Sequence, residues 1–278
     1  MPVENILTID VEDWFQVEVF SKTIGIEKWS SQKSRLLPNI LKILDILKAK
    51  HTKATFFVLG WVGEKFPEIV SLIQEEGHEI GSHGYAHQLA YTQKKEEFET
   101  DLRKSLEILE KITGEKVIGY RAPSFSITQE TFWVFDILSK WGIKYDSSIF
   151  PIRHSLYGIP DAPRFPFTVK LGNGGHILEF PLSTVRILGK NFPFGGGGYL
   201  RIFPYWYTRW AVKKLNRQQK RVVTYFHPWE IDPHQPKQPA DLFSRFRHYT
   251  NLSTMESKLK KLLDDFQFSA IREVWKIS

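Results

Sequence analysis

No cysteine occurs among the 278 residues, which removes disulfides, thiolate metal sites and cysteine nucleophiles together. Any metal must therefore sit on imidazole and carboxylate ligands. No stretch is apolar for long enough to span a bilayer, and Met1 leads directly into the strand-like Asn5-Ile6-Leu7-Thr8-Ile9-Asp10 without the basic and apolar regions of an export signal. The expected location is the cytoplasm, at most the inner face of the membrane. No long basic run stands out, so the net charge of +7 fits contact with anionic membranes, contact with acidic polymers, or simple solubility, and no nucleic-acid partner is expected.

What is present suits one large α/β domain. Hydrophobic residues make up 42% of the chain, enough for a sizeable core, and short apolar runs alternate with amphipathic stretches in the manner of repeated βα units. Strands are predicted at 6–10, 54–59, 78–82, 116–120, 143–146, 177–181 and 222–227, and helices at 36–50, 94–113, 130–141, 204–215 and 255–266. Gly114 and Gly142 read as helix stops. A Gly-rich loop, Phe194-Gly195-Gly-Gly-Gly198-Tyr199, and a Pro-rich excursion at 232–239 break the pattern without forming a linker. Nine Trp exceed what the core needs, and aromatic faces commonly grip sugar rings in concave sites.

Chemistry-bearing residues collect after the predicted strands, where functional groups gather in parallel α/β folds. In Gly81-Ser82-His83-Gly84-Tyr85-Ala86-His87 two imidazoles stand four positions apart, so on a helical turn they project to one side and can share a cation; the bland alternative is two satisfied or exposed histidines. Asp10-Val11-Glu12-Asp13 gathers three acids beside an apolar strand, a costly grouping unless a cation or catalytic proton needs them. Arg121 in Tyr120-Arg-Ala-Pro123-Ser-Phe is placed to hold a carboxylate ionised or to be an ordinary surface cation. His227 in Phe226-His-Pro-Trp229-Glu is a structural or a catalytic histidine at the same face.

In this order, an acidic strand end, His-x-x-x-His, Arg-x-Pro and a late strand ending in His resemble the motifs of the polysaccharide deacetylase (NodB-homology) family of carbohydrate esterases, over roughly residues 6–230. Asp-Val-Glu-Asp-Trp-Phe, Tyr-Asp-Ser-Ser-Ile-Phe-Pro and Phe-Gly-Gly-Gly-Gly-Tyr resemble the branch often encoded in exopolysaccharide gene clusters. The resemblance implies a distorted (β/α) barrel of about seven strands, one deacetylase domain over 1–278, and a family-specific extension at about 231–278 packed on the barrel. It makes Asp10 the general base, His83 and His87 metal ligands, Arg121 the partner of Asp10, and His227 the general acid. Trp14, Tyr120, Pro123 and Trp229, adjoining these motifs, are candidate sugar contacts.

The family's usual motif has two adjacent aspartates, base then ligand, whereas Val11 and Glu12 here separate Asp10 from Asp13. Strand alternation puts Glu12 on the side of Asp10; the acid type of the motif favours Asp13, which is the preferred third ligand with Glu12 the alternative. A His/His/carboxylate set suits a divalent cation, zinc first and cobalt or nickel next. The expected activity is metal-dependent removal of acetyl groups from an N-acetylated glycan. A cyclic imide or ureide hydrolase of the same superfamily and an inactive carbohydrate-binding relative are the competing expectations.

Overall fold

The computed structural model describes residues 3–154 and 157–277. Among the described residues eleven strands form: β1 (Asn5–Val11), β2 (Thr55–Val58), β3 (Glu79–Ser82), β4 (Gly119–Tyr120), β5 (Tyr145–Asp146), β6 (Phe167–Lys170), β7 (His176–Glu179), β8 (Thr184–Ile187), β9 (Lys190–Pro193), β10 (Val223–Phe226) and β11 (Phe268–Ser269). The main sheet runs β10-β1-β2-β3-β4-β5-β7-β6. Its strands are parallel from β10 to β7; β6 joins β7 antiparallel at one edge, and β11 lies parallel to the start of β1. Seven parallel strands therefore curl into a distorted barrel, as the sequence implied. Closure is irregular: Ser183, just past β7, donates its N–H to Val223 O at 3.3 Å and accepts from Val223 N at 2.8 Å through its Oγ, while Tyr225 N donates to Gly195 O.

Every residue of β1 is buried, as expected for a central strand covered on both faces. Outside, the helix Leu36–Ala49 buries Leu36, Ile40, Ile43 and Leu47, one stripe at helical spacing. The helix Lys95–Thr113 buries Phe98, Leu102, Leu106 and Leu109 and ends at Gly114, whose φ of +68° is the left-handed conformation that a C-terminal stop requires. Two helices not foreseen, Gly60–Lys65 and Pro67–Glu75, fill the connection between β2 and β3. Gly60 has to be glycine: a Cβ there would stand 2.8 Å from Ser105 Cα on the helix it packs against. The hairpin β8–β9 and the helices Gly197–Ile202 and Leu242–Tyr249 were also unforeseen, and the strand expected at 116–120 shortens to its last two residues. No helix among the described residues is long and apolar enough to cross a membrane.

Candidate active site

The side-chain alternation of β1 continues past its end. Asp10 and Glu12 both face a cavity at the carboxyl ends of the strands, while Val11 joins the core. Asp13 turns away: its Oδ1 accepts from Trp14 N at 2.8 Å and its Oδ2 from Arg35 N at 3.0 Å. Asp13, preferred from the motif as third ligand, therefore does not stand with the imidazoles. Two backbone donors occupy its oxygens, and Glu12 is the acid that stands with the imidazoles.

Glu12, His83 and His87 are all buried, and one ligand atom from each lies within 4.8 Å of the others. His83 Nδ1 is 2.8 Å from Arg121 O, an acceptor only, so that nitrogen is the donor and Nε2 keeps its lone pair. Burial, with His87 nearby, pushes the His83 pKa down to about 3 and keeps the ring neutral. His87 Nε2 lies 2.9 Å from Glu12 Oε2, yet this buried oxygen has no hydrogen-bond partner of acceptable angle. A buried carboxylate converging with two imidazoles is the donor set of a divalent cation. The pair does not sit on a helical turn, as the spacing suggested, but on a bent loop. Gly84 takes φ +73°, His87 takes φ +52°, and Asp101 accepts from Tyr85 N at 2.7 Å and Ala86 N at 3.1 Å.

Arg121 is wholly buried and its donors are accounted for on three sides. Nη1 donates to Asp10 Oδ1 and to Thr8 Oγ1, both at 2.7 Å; Nε donates to Ser147 O at 2.9 Å and Nη2 to Ser147 Oγ at 2.7 Å. Ser148 Oγ accepts from Ala122 N at 2.7 Å, which holds the strand end itself. Behind it, burial and the neighbouring Asp146 push the Glu179 pKa well up, which favours its protonated form in the interior. The Tyr-Asp-Ser-Ser run, quoted above only as a likeness, is thus the cradle of the arginine.

On the opposite wall His227 directs Nε2 at Glu12 Oε1, 3.1 Å away, with Asp10 Oδ2 at 3.9 Å. Its Nδ1 donates to Glu230 Oε2 at 3.0 Å, and Glu230 Oε1 receives Arg201 Nε at 3.0 Å. Burial disfavours the imidazolium, but Glu12 and Glu230 outweigh it and lift the His227 pKa to about 9. Burial likewise opposes the Glu230 carboxylate, and His227 with Arg201 overcomes it, holding Glu230 at about 2. Arg201 and the role of Glu230 were missed: Arg201 is 29 positions from its partner, although the i,i+3 spacing of His227 and Glu230 was visible.

The cavity, about 410 Å³, is within the usual range for a ligand site. Trp229 lines it, stacked on His227 with centroids 5.2 Å apart. The other three candidate sugar contacts do not line it. Trp14 is buried with its Nε1 on Lys33 O, Tyr120 packs edge-on against Phe98 at 5.8 Å, and Pro123 is buried behind the turn. They were chosen for sequence adjacency, and neighbours along a strand point to opposite faces. The rings that do face the cavity include Tyr157, Tyr199 and Tyr225. The Gly-rich loop lies against the last of these: a Cβ on Gly196 would fall 2.0 Å from the Tyr225 ring.

Residues 38–145 match the family described as polysaccharide deacetylase, and residues 147–276 match a domain of unknown function (DUF3473). The chain is 38% identical over 147 residues to a peptidoglycan deacetylase of Helicobacter pylori, which spans 52% of this chain and 45% of the relative. It is 34% identical over 167 residues to a peptidoglycan-N-acetylglucosamine deacetylase of Bacillus cereus, 55% of this chain and 56% of the relative. The chain thus spans about half the length of the curated relatives it matches. A solved Mycobacterium smegmatis structure assigned to the polysaccharide deacetylases superposes with a TM-score of 0.64 over 99% of this chain and 90% of that one; at 18% identity the likeness is one of fold.

Proposed function

We propose that the chain, whose residues 38–145 match the polysaccharide deacetylase family, hydrolyses the N-acetyl group of amino sugars in a polysaccharide or its precursor, releasing acetate. The observation that carries this reading is the convergence of Glu12, His83 and His87 in one buried cluster, with Asp10 and His227 on the walls of the same cavity. Glu12, His83 and His87 would hold the divalent metal, which we take to be zinc. Bound there, such a cation polarises an amide carbonyl and acidifies water at neutral pH.

The chain's own residues divide the proton work. Arg121 engages Asp10 Oδ1 and fixes the carboxylate, leaving Oδ2 toward the cavity, where it takes a proton as a water oxygen attacks the acetyl carbon. His227, oriented by Glu230, protonates the amide nitrogen as the C–N bond breaks, because an amine leaves poorly without a proton. The products are acetate and the free sugar amine. Trp229 holds the His227 ring plane and closes one side of the site. We read the whole chain as a single deacetylase domain serving exopolysaccharide synthesis.

The test is acetate release from N-acetylglucosamine oligomers by purified protein, before and after exhaustive chelation and after adding back zinc. Activity lost with the metal and restored by it is expected. Full activity with no metal detectable by elemental analysis would end the metal reading, and turnover of hydantoin or allantoin in place of the oligomers would move the enzyme to the cyclic amidohydrolases.

A further inference from the structure

Beside the catalytic cavity lies a second and larger concavity, a cleft of about 970 Å³ between residues 151–153 and 160–165 on one side and the hairpin β8–β9 on the other. Tyr199 lines both, so the two concavities border the same ring. Its walls carry four cations, Arg153, Arg164, Arg186 and Lys190, against one acid, Asp161. Among the described residues none of the four forms an ion pair with a carboxylate within 4.0 Å.

The cations are also placed rather than free. Arg164 donates through Nε to Thr184 Oγ1 at 3.0 Å and through Nη2 to Thr184 O, with its guanidinium 5.2 Å from the Phe165 ring. Arg186 donates to Gly189 O at 3.1 Å across the hairpin turn, where Leu188 and Gly189 both take positive φ, the geometry of a tight two-residue connection. Burial, with the like charge of Arg186 near enough to be felt, lowers the Arg164 pKa. A forked donor of this kind, held rigid near an aromatic ring, matches carboxylate geometry better than a mobile lysine does.

We infer that this cleft binds the carboxylate groups of an acidic glycan, so that the enzyme takes a chain in which N-acetylated sugars alternate with uronate-type sugars. The inference deepens the deacetylase reading and rests on it. A neutral chain would leave the guanidiniums uncompensated, whereas a carboxylate in the cleft neutralises them while its neighbouring residue reaches past Tyr199 to Asp10 and His227.

The experiment is calorimetric binding of a tetrasaccharide of alternating N-acetylglucosamine and glucuronate, and of chitotetraose, to the zinc-loaded protein and to the Arg186→Ala/Lys190→Ala variant. Both positions are exposed, so the fold is not at stake. Wild type is expected to prefer the acidic tetrasaccharide on the order of tenfold at low salt, with the preference falling as salt rises. The variant is expected to lose that preference and keep chitotetraose binding and turnover. Equal affinities of the acidic chain for wild type and variant would overturn the inference. So would displacement by pyrophosphate, or binding to anionic phospholipid vesicles, that depends on Arg186 and Lys190 while the acidic tetrasaccharide is ignored, since the cleft would then be a phosphate site. Absence of acetate release from either oligomer, with the charge-dependent preference intact, would count against the deacetylase reading alone.

Discussion

Glu12→Gln and Asp13→Asn should exchange their effects on two measured quantities. Glu12→Gln keeps the shape of the side chain but replaces an anionic oxygen in the cluster with His83 and His87 by a neutral amide. Loss of groups that merely support a ligand costs about 10- to 100-fold in metal affinity, so loss of the ligand itself should cost more than about 100-fold, or about 2.7 kcal/mol of binding. Asp13→Asn leaves the cluster intact but puts an NH2 opposite one of the two backbone amides, Trp14 N or Arg35 N, that its carboxylate now accepts from. Two buried donors then face each other, at a cost of about 1–3 kcal/mol in folding stability. Metal affinity is read by competition against a chelator of known affinity, and stability by urea unfolding with the metal removed. The expected result is a metal defect with Glu12→Gln and a stability defect with Asp13→Asn. Zinc affinity lost in Asp13→Asn and kept in Glu12→Gln would refute the reasoning and return the ligand role to Asp13.

Asp10→Asn and His227→Ala should each lower turnover by about two to four orders of magnitude while bound metal stays near one per chain, as expected of groups that move protons; loss of metal with either change would reassign that residue. His78 supplies a pH test away from the site. It accepts from Ala54 N through Nδ1, and burial with Lys53 nearby lowers its pKa to about 4. The unfolded chain therefore binds the proton more readily between about pH 6.5 and 4, so this contribution to stability is present above 6.5 and is lost as pH falls through that window. Allowing for partial exposure, the fall in stability from pH 7 to pH 5 should be smaller in His78→Asn than in wild type by about 1–2 kcal/mol. The same pH slope in both proteins would show that His78 is not held neutral.

Much of the barrel was readable because its strands are short, buried and followed by functional groups. The polar residues at 10, 83, 121 and 227 each sit at the point where an apolar run ends, which period and burial reveal together. The choice between Glu12 and Asp13 was also open to the same physics: alternation along β1 set Glu12 beside Asp10, while preference for an aspartate was analogy to a motif. What failed was inference from adjacency along the chain. Trp14 and Tyr120 neighbour the site in sequence and face the core. The helices over 60–75 were hidden because Gly60 and Gly63 look like breakers, although both are small so that the helix Lys95–Thr113 can pass closely.

The remaining parts of the site are tertiary and come from two stretches of chain. Residues 38–145 bring His83, His87 and Arg121, whereas the stretch 147–276 brings Ser147, Arg201, His227 and Glu230. The first stretch is electrostatically incomplete alone, whereas the second carries its own chain of ion pairs. Arg121, wholly buried, needs Ser147 O and Oγ to satisfy the donors that Asp10 and Thr8 do not take; His227 needs Glu230, and Glu230 needs Arg201 to stay ionised at zero exposure. An unpaired charge at that depth is strongly destabilising. The arginine paired with Asp10 is consequently satisfied only with Ser147 beside it, so the Asp10 wall of the cavity depends on a contact between the two stretches.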